Sequence, residues 1–133
     1  MNPRVIYTAY FVVNQKKLLD QFPPKHKNVF AHHSTIEFRP KNGLEGINIG
    51  EKKYIEVLGR VFDEKGDAVL VDNDKSIKEN SHITISCAEN IPPVYSDEMI
   101  QKAIKDGSVE IFSEPIFVEV IEGYFDGIDD VIK

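Results

Sequence analysis

Two short segments of the chain carry the same arrangement of chemically useful side chains. Residues 33–36 read HSTI and residues 82–85 read HITI, so each segment has a histidine, one spacer, a threonine and an isoleucine. The chain has four histidines and three threonines, and two of those threonines follow a histidine by two positions. A spacing that occurs twice among so few residues is a stronger signal than a single motif.

Each segment is predicted to lie on a β-strand, where alternate side chains point to the same face. His33 and Thr35 then share one face of their strand, as His82 and Thr84 do on theirs, with the ring and the hydroxyl roughly 6 to 7 Å apart. Two imidazoles flank one cavity if these strands lie next to each other or face each other across a groove.

Such a cavity suits the hydrolysis of a phosphodiester. Histidine titrates near pH ~6.5, so one ring can be neutral while the other is protonated. The neutral ring can take a proton from the attacking water, and the charged ring can give one to the departing oxygen. Threonine hydroxyls can donate to the non-bridging phosphate oxygens. The scheme needs no metal or other cofactor, and it predicts His33, Thr35, His82 and Thr84 as the catalytic residues.

The elements that must position these residues are mostly strands. Apolar runs, alternation and turn signals predict six of them: Val5–Val13, Val29–Phe38, Tyr54–Asp63, Ala68–Val71, His82–Ala88 and Ile116–Phe125. Two helices are predicted, QKKLLDQF after an Asn14 cap and DEMIQKAIK between a Ser96 cap and Gly107. We expect residues 1–133 to form a single α+β domain with a mostly antiparallel sheet and two outer helices.

On its two His-x-Thr motifs the sequence resembles the 2H phosphoesterase superfamily, which is named for a pair of such motifs, each followed by a hydrophobic residue. The resemblance implies a compact, two-lobed α+β fold with a central groove lined by the motifs. It also implies metal-independent cleavage of a 2′,3′-cyclic phosphate, a cyclic (oligo)nucleotide or a short RNA end. By matching position, His33 and His82 would be the acid and base, and Thr35 and Thr84 the phosphate clamps.

Ligand contacts are harder to place. Tyr10, in the first strand, and Tyr95, in the proline-containing loop, are the candidate substrate-binding aromatics, because an exposed ring beside the histidines can stack on a base. The tandem histidine His32 is interpreted as a core residue that shares a face with Phe30 and Ile36. No close-spaced ligand pair such as Cys-x-x-Cys occurs, so no metal site is predicted.

The composition of the chain limits the kinds of binding partner that we expect. A net charge of −6 and the lack of a basic stripe argue against long duplex nucleic acid and favour a nucleotide or short oligonucleotide. No run of eighteen apolar residues is present, so no membrane span is predicted, and no signal peptide is recognised. Cys87 is the only cysteine, which fits a reducing, cytoplasmic setting and a small buried side chain. The oligomeric state is not indicated.

Two other interpretations remain open. The same groove could bind a nucleotide or another phosphorylated ligand without turnover. Alternatively, the chain could be an interaction domain in which both histidines are structural and hydrogen-bond to neighbouring carbonyl groups.

Overall fold

An antiparallel sheet of apolar, β-branched strands is the frame of the molecule. The computed structural model describes residues 4–133, and within them it contains eight strands and two helices: β1 (Tyr7–Val12), α1 (Gln15–Gln21), β2 (Asn28–Val29), β3 (His33–Phe38), β4 (Lys52–Phe62), β5 (Gly66–Val71), β6 (His82–Cys87), α2 (Tyr95–Asp106), β7 (Glu110–Phe125) and β8 (Asp130–Val131). The strand order is β2-β6-β5-β4-β7-β1-β3, with β8 paired to β7. The predicted α+β class with a mostly antiparallel sheet is confirmed.

The predicted second strand, Val29–Phe38, is divided in two at Ala31, which has a φ of 50°. Before the division the chain pairs with β6, since the Phe30 and Ala31 amides donate to carbonyl groups of β6. After it, β3 pairs with β1. The chain therefore crosses from one end of the sheet to the other within a few residues. As a result β3 and β6, which are far apart in the strand order, contact each other.

The first helix forms as the sequence predicts. The Asn14 side chain accepts a hydrogen bond from the Lys17 amide at 3.0 Å, and Leu18 is buried. At the other helix the predicted Gly107 stop is confirmed, because this glycine has the left-handed φ of 71° that follows many helices. No helix in the described part of the chain has the length and the apolar character that crossing a membrane requires.

The predicted Ser96 cap of α2 is wrong. The helix begins at Tyr95, two residues earlier than predicted, and Ser96 lies fully buried in the first turn. The carbonyl groups of Pro92 and Pro93 accept from the Tyr95 and Ser96 amides, so these amides need no side-chain cap. The Ser96 hydroxyl is therefore left to make a contact elsewhere.

The main core lies between the curled sheet and α1. It contains buried side chains from both helix and strands: Tyr10, Leu18, Phe22, Ala31, Ile36, Ile55, Val57, Val69, Val71, Ile83, Ile85, Val118 and Val120. A smaller cluster joins Met99, Ile100 and Ala103 of α2 to β4 and β5. Cys87 has no exposed surface, as predicted. Buried side chains of β3 and β6, Ile36, Ile83 and Ile85, belong to the main core, so these contacts position the outer faces of both strands.

Candidate active site

The structure brings the four predicted catalytic side chains together. Strand alternation buries Ser34 and Ile83 completely and turns His33, Thr35, His82 and Thr84 outward, where they are partly exposed. All four line one cavity of about 540 Å³ between β3 and β6. The cavity exists because the predicted strand is interrupted at Ala31, which lets β3 and β6 meet. Neither motif could form the cavity alone.

His33 lies in an aromatic and largely dry setting. Its ring stacks on Tyr7 with 4.7 Å between centroids, and its Nδ1 lies 2.8 Å from Nδ1 of His32. Burial is the main cause that lowers the pKa of His33 to about 4, and repulsion from His32 and His82 contributes to the same shift. The ring is therefore neutral at pH 7, and its Nε2 has no hydrogen-bond partner among residues 4–133.

His32 is not the core residue that strand alternation predicts. It precedes β3, directly after the division at Ala31, so alternation does not apply to it, and its ring lines the cavity. Its Nε2 lies 2.6 Å from Oδ2 of Asp130, which β8 supplies from the far end of the chain. Sequence reasoning missed both residues. The tandem histidine was the only signal for His32, and no local pattern points to Asp130.

His82 is held through its Nδ1, as His33 is. Nδ1 lies 3.3 Å from the Asn80 carbonyl oxygen, to which it donates, and 3.9 Å from Oδ1 of Asp97. Burial lowers the pKa of His82, while Asp97 and the Asn80 carbonyl act in the opposite direction. His82 can therefore carry a proton more readily than its burial alone would permit. Its Nε2 has no partner in the described part of the chain.

The two threonines are held differently. The Thr84 hydroxyl lies 2.8 Å from the hydroxyl of Ser96. Ser96 can make this contact because its side chain does not cap α2. Within the described residues the Thr35 hydroxyl has no protein partner, and only its carbonyl group accepts a bond, from Asn73. The Thr35 hydroxyl can therefore donate its proton to a ligand in the cavity. The Thr84 hydroxyl can do so while it accepts from Ser96, if it gives up its 3.5 Å contact with the Pro93 carbonyl oxygen.

The loop between β5 and β6 forms one wall of the cavity. The loop residues that line the cavity are Ser76, Lys78, Glu79, Asn80 and Ser81. Three bonds fix this loop to the core side of the sheet: Asn73 Nδ2 to Ser34 Oγ at 3.0 Å, Lys75 Nζ to Glu122 Oε2 at 2.6 Å, and Tyr10 Oη to Asp74 Oδ1 at 2.7 Å. Lys78 is the one lysine or arginine on the wall within residues 4–133, and sequence reasoning did not single it out.

Tyr10, which the sequence predicts to contact a substrate, does not line the cavity. Its ring is fully buried on the core face of β1, and its hydroxyl is engaged by Asp74 and Lys53. Alternation instead turns Tyr7 and Phe11 toward His33. Tyr7 is therefore the aromatic residue of β1 that lines the cavity.

Tyr95 also lies outside the cavity lining. It is the first residue of α2, and its hydroxyl donates to the Asp63 carboxylate, which together with burial raises the tyrosine pKa to about 12. The preceding residues Pro93 and Val94 line the cavity in its place. The proline-containing loop thus contributes to the site, but with apolar side chains.

Apolar and aromatic surface forms much of the cavity wall. Tyr7, Phe30, Phe38, Pro93 and Val94 contribute it. The titratable side chains on the wall besides Tyr7 are His32, His33, Lys78, Glu79, His82 and Asp97. Such a mixture of ring surface and a few polar groups is typical of a site for a small ligand. Among residues 4–133, no three His, Cys, Asp or Glu side chains are grouped so as to hold a metal ion.

No family model matches the sequence, and no curated protein matches it with significance. Three imidazoles, two threonine hydroxyls and several aromatic rings line the cavity, and its two His-Thr motifs lie 49 positions apart in the chain.

Proposed function

We propose that the protein is a phosphodiesterase that uses its two motif histidines as general acid and general base and needs no metal ion. One observation carries the proposal: the two His-Thr pairs line the same cavity, and each ring is held through Nδ1. Each Nε2 is thereby left for a ligand. Two structural histidines would instead have both nitrogens occupied by protein groups.

The geometry supports a mechanism in which each of the two motif histidines performs one proton transfer. One imidazole takes a proton from a water molecule as its oxygen attacks phosphorus, and the other gives a proton to the departing ester oxygen. The Thr35 and Thr84 hydroxyls donate to the non-bridging oxygens, whose charge changes during the reaction. Each proton transfer typically accelerates such a reaction by about 10²- to 10⁴-fold.

The cavity favours a small substrate. Its volume of about 540 Å³ lies within the range of small-molecule sites. The exposed rings at its wall can stack on a base, which contributes ~1 to 3 kcal/mol per base. The net charge of −6 disfavours a long polyanion. We therefore expect a 2′,3′-cyclic phosphate, a cyclic (oligo)nucleotide or a short RNA end, in line with the resemblance to the 2H phosphoesterases.

The proposal is tested by incubating the protein in EDTA with 2′,3′-cyclic mononucleotides, cyclic di- and trinucleotides and short RNA ending in a cyclic phosphate. Product formation is followed by chromatography. His33→Gln and His82→Gln are each expected to lower kcat/KM by at least ~10²-fold while the circular dichroism spectrum is unchanged. His26→Gln is the control, because the His26 ring bonds to the Asp63 and Gly66 carbonyls, outside the cavity.

Three outcomes are informative. Turnover that depends on both motif histidines supports the proposal. Binding of a nucleotide without product would replace it with a binding module. Neither binding nor product, together with unfolding of both glutamine variants, would show that the histidines are structural.

A further inference from the structure

Three side chains form a continuous hydrogen-bonded line that ends in the cavity. Asp130 Oδ2 lies 2.6 Å from Nε2 of His32, and Nδ1 of His32 lies 2.8 Å from Nδ1 of His33. The His33 ring is fixed further by stacking on Tyr7. The line joins two distant parts of the chain, since β8 brings Asp130 to the histidines from 98 positions away.

The hydrogen-bond chemistry of this line determines where the protons lie. An ionised carboxylate only accepts, so His32 must carry a proton on Nε2. When His32 is neutral, its Nδ1 is then an acceptor, and the proton between the two rings belongs to Nδ1 of His33. A neutral His33 with its proton on Nδ1 has an unprotonated Nε2 directed to the ligand. That is the form of imidazole a general base requires.

We propose that Asp130 and His32 are positioning residues that make His33 the general base of the proposed phosphodiesterase and accept the positive charge that the base acquires. This inference rests on the proposed function and assigns the two roles that the motifs leave open. His82 is then the general acid, since its Nδ1 contacts with Asn80 and Asp97 offset part of the effect by which burial lowers its pKa.

The proton balance of the step is as follows. Nε2 of His33 takes a proton from the attacking water, which leaves both nitrogens of His33 protonated. The Nδ1 proton of His33 then moves across the 2.8 Å contact to Nδ1 of His32. His33 is neutral again, and the charge resides on His32 beside the Asp130 carboxylate. A buried ring that tolerates charge poorly can therefore act as a base, because its charge is held at the better-solvated His32–Asp130 pair.

Other titratable groups face this line. The Tyr7 hydroxyl stays protonated, because burial and the nearby Asp130 carboxylate raise the pKa of this tyrosine to about 12. On the opposite wall are Lys78, Glu79, His82 and Asp97. The contribution of the line to the pH dependence of activity must therefore be measured with a variant that changes only Asp130.

The first test reads the proton positions directly and needs no substrate. Long-range ¹H–¹⁵N correlation spectra near pH 8 distinguish protonated from unprotonated ring nitrogens, and single His→Gln variants assign them. We expect His33 to be protonated on Nδ1 and unprotonated on Nε2. In Asp130→Asn the amide can donate to His32 Nε2, which reverses the line, so the Nε2-protonated form of His33 should increase.

The second test is kinetic. Asp130→Asn is expected to lower kcat/KM by about 10- to 100-fold and to move the acid limb of the pH profile to lower pH, because the lost carboxylate no longer favours the added proton. Asp129→Asn is the matched control. It removes the same charge one residue away, where the carboxylate makes no hydrogen bond or ion pair to the described residues, and we expect less than a 2-fold change. His32→Asn should be more active than His32→Ala, because its amide oxygen can accept from His33 Nδ1.

The two proposals fail in different ways. A wild-type His33 protonated on Nε2 near pH 8 overturns the relay, whatever the activity. Equal kinetics in Asp130→Asn and Asp129→Asn also overturn it while leaving the phosphodiesterase intact. The expected proton positions without turnover of any substrate would support the hydrogen-bond line and reject the proposed function.

Discussion

The hydroxyl oxygens of Thr84 and Ser96 lie 2.8 Å apart, so the second motif is joined to the first turn of α2. Thr84 lines the cavity, whereas Ser96 is fully buried behind it. The helix is thereby coupled to the orientation of one of the two proposed phosphate clamps. Several measurable properties depend on such contacts around the cavity.

Ser96→Ala is expected to lower the free energy of unfolding by about 1 kcal/mol, because Thr84 loses its buried partner. It should also lower kcat on the proposed substrates several-fold, since the Thr84 hydroxyl is then held only by its 3.5 Å contact with the Pro93 carbonyl oxygen. Urea denaturation and steady-state kinetics measure the two effects. Ser113→Ala, at an exposed position of β7 where the hydroxyl makes no hydrogen bond to the described residues, is the control and should change neither. Unaltered stability and kcat in Ser96→Ala would show that the contact has no role.

The stability of the protein should fall as the solution is acidified through the range set by His33. Its pKa is about 4 in the folded protein and near 6.5 when unfolded, so between these values the unfolded chain binds more protons. The contribution is fully present above pH ~6.5 and is lost as the pH approaches 4. Its size is at most ~3 kcal/mol. Urea denaturation of wild type and His33→Gln across this range should show a shallower pH dependence for the variant. An identical dependence would mean that His33 is not the group responsible.

Lys75→Met should destabilise the protein by about 3 kcal/mol. The Glu122 carboxylate is fully buried and lies 2.6 Å from Lys75 Nζ, so the substitution leaves a buried charge without its ammonium partner. Adding Glu122→Gln in the same chain should recover part of the loss, because the charge itself is then removed. Lys78→Met is the control, since its ammonium is largely exposed and lies 3.9 Å from Asp97. Equal losses for the two lysine variants in thermal or urea unfolding would refute this account.

The division of the chain at Ala31 predicts contrasting effects of two small substitutions. Ala31 is fully buried and has a φ of 50°, a conformation that glycine adopts readily and β-branched residues avoid. Ala31→Gly should change the free energy of unfolding by no more than about 1 kcal/mol. Ala31→Val should lower it by at least ~2 kcal/mol, through backbone strain and overpacking. A valine variant as stable as the glycine variant would show that this conformation does not constrain the chain.

Much of the fold and part of the site follow from local patterns. Alternation on β3 and β6 correctly places the motif side chains outward and their neighbours in the core, because side-chain direction in a strand has a period of two. The Asn14 cap and the Gly107 stop are equally local. Local patterns failed at residues whose surroundings come from elsewhere in the chain. Serine is a residue type that favours the cap position, but the first amides of α2 donate to the Pro92 and Pro93 carbonyl groups instead of to the Ser96 side chain.

The sequence by itself determined the residue types, their spacing on the two strands and hence the kind of chemistry they can perform. Only the tertiary structure decided that the two motifs share a cavity, that Tyr7 and not Tyr10 faces it, and that Asp130 reaches His32. The physical reason is distance along the chain. Propensity and periodicity act over a few residues, whereas the meeting of β3 with β6 and of β8 with the histidines results from closure of the whole sheet around its core.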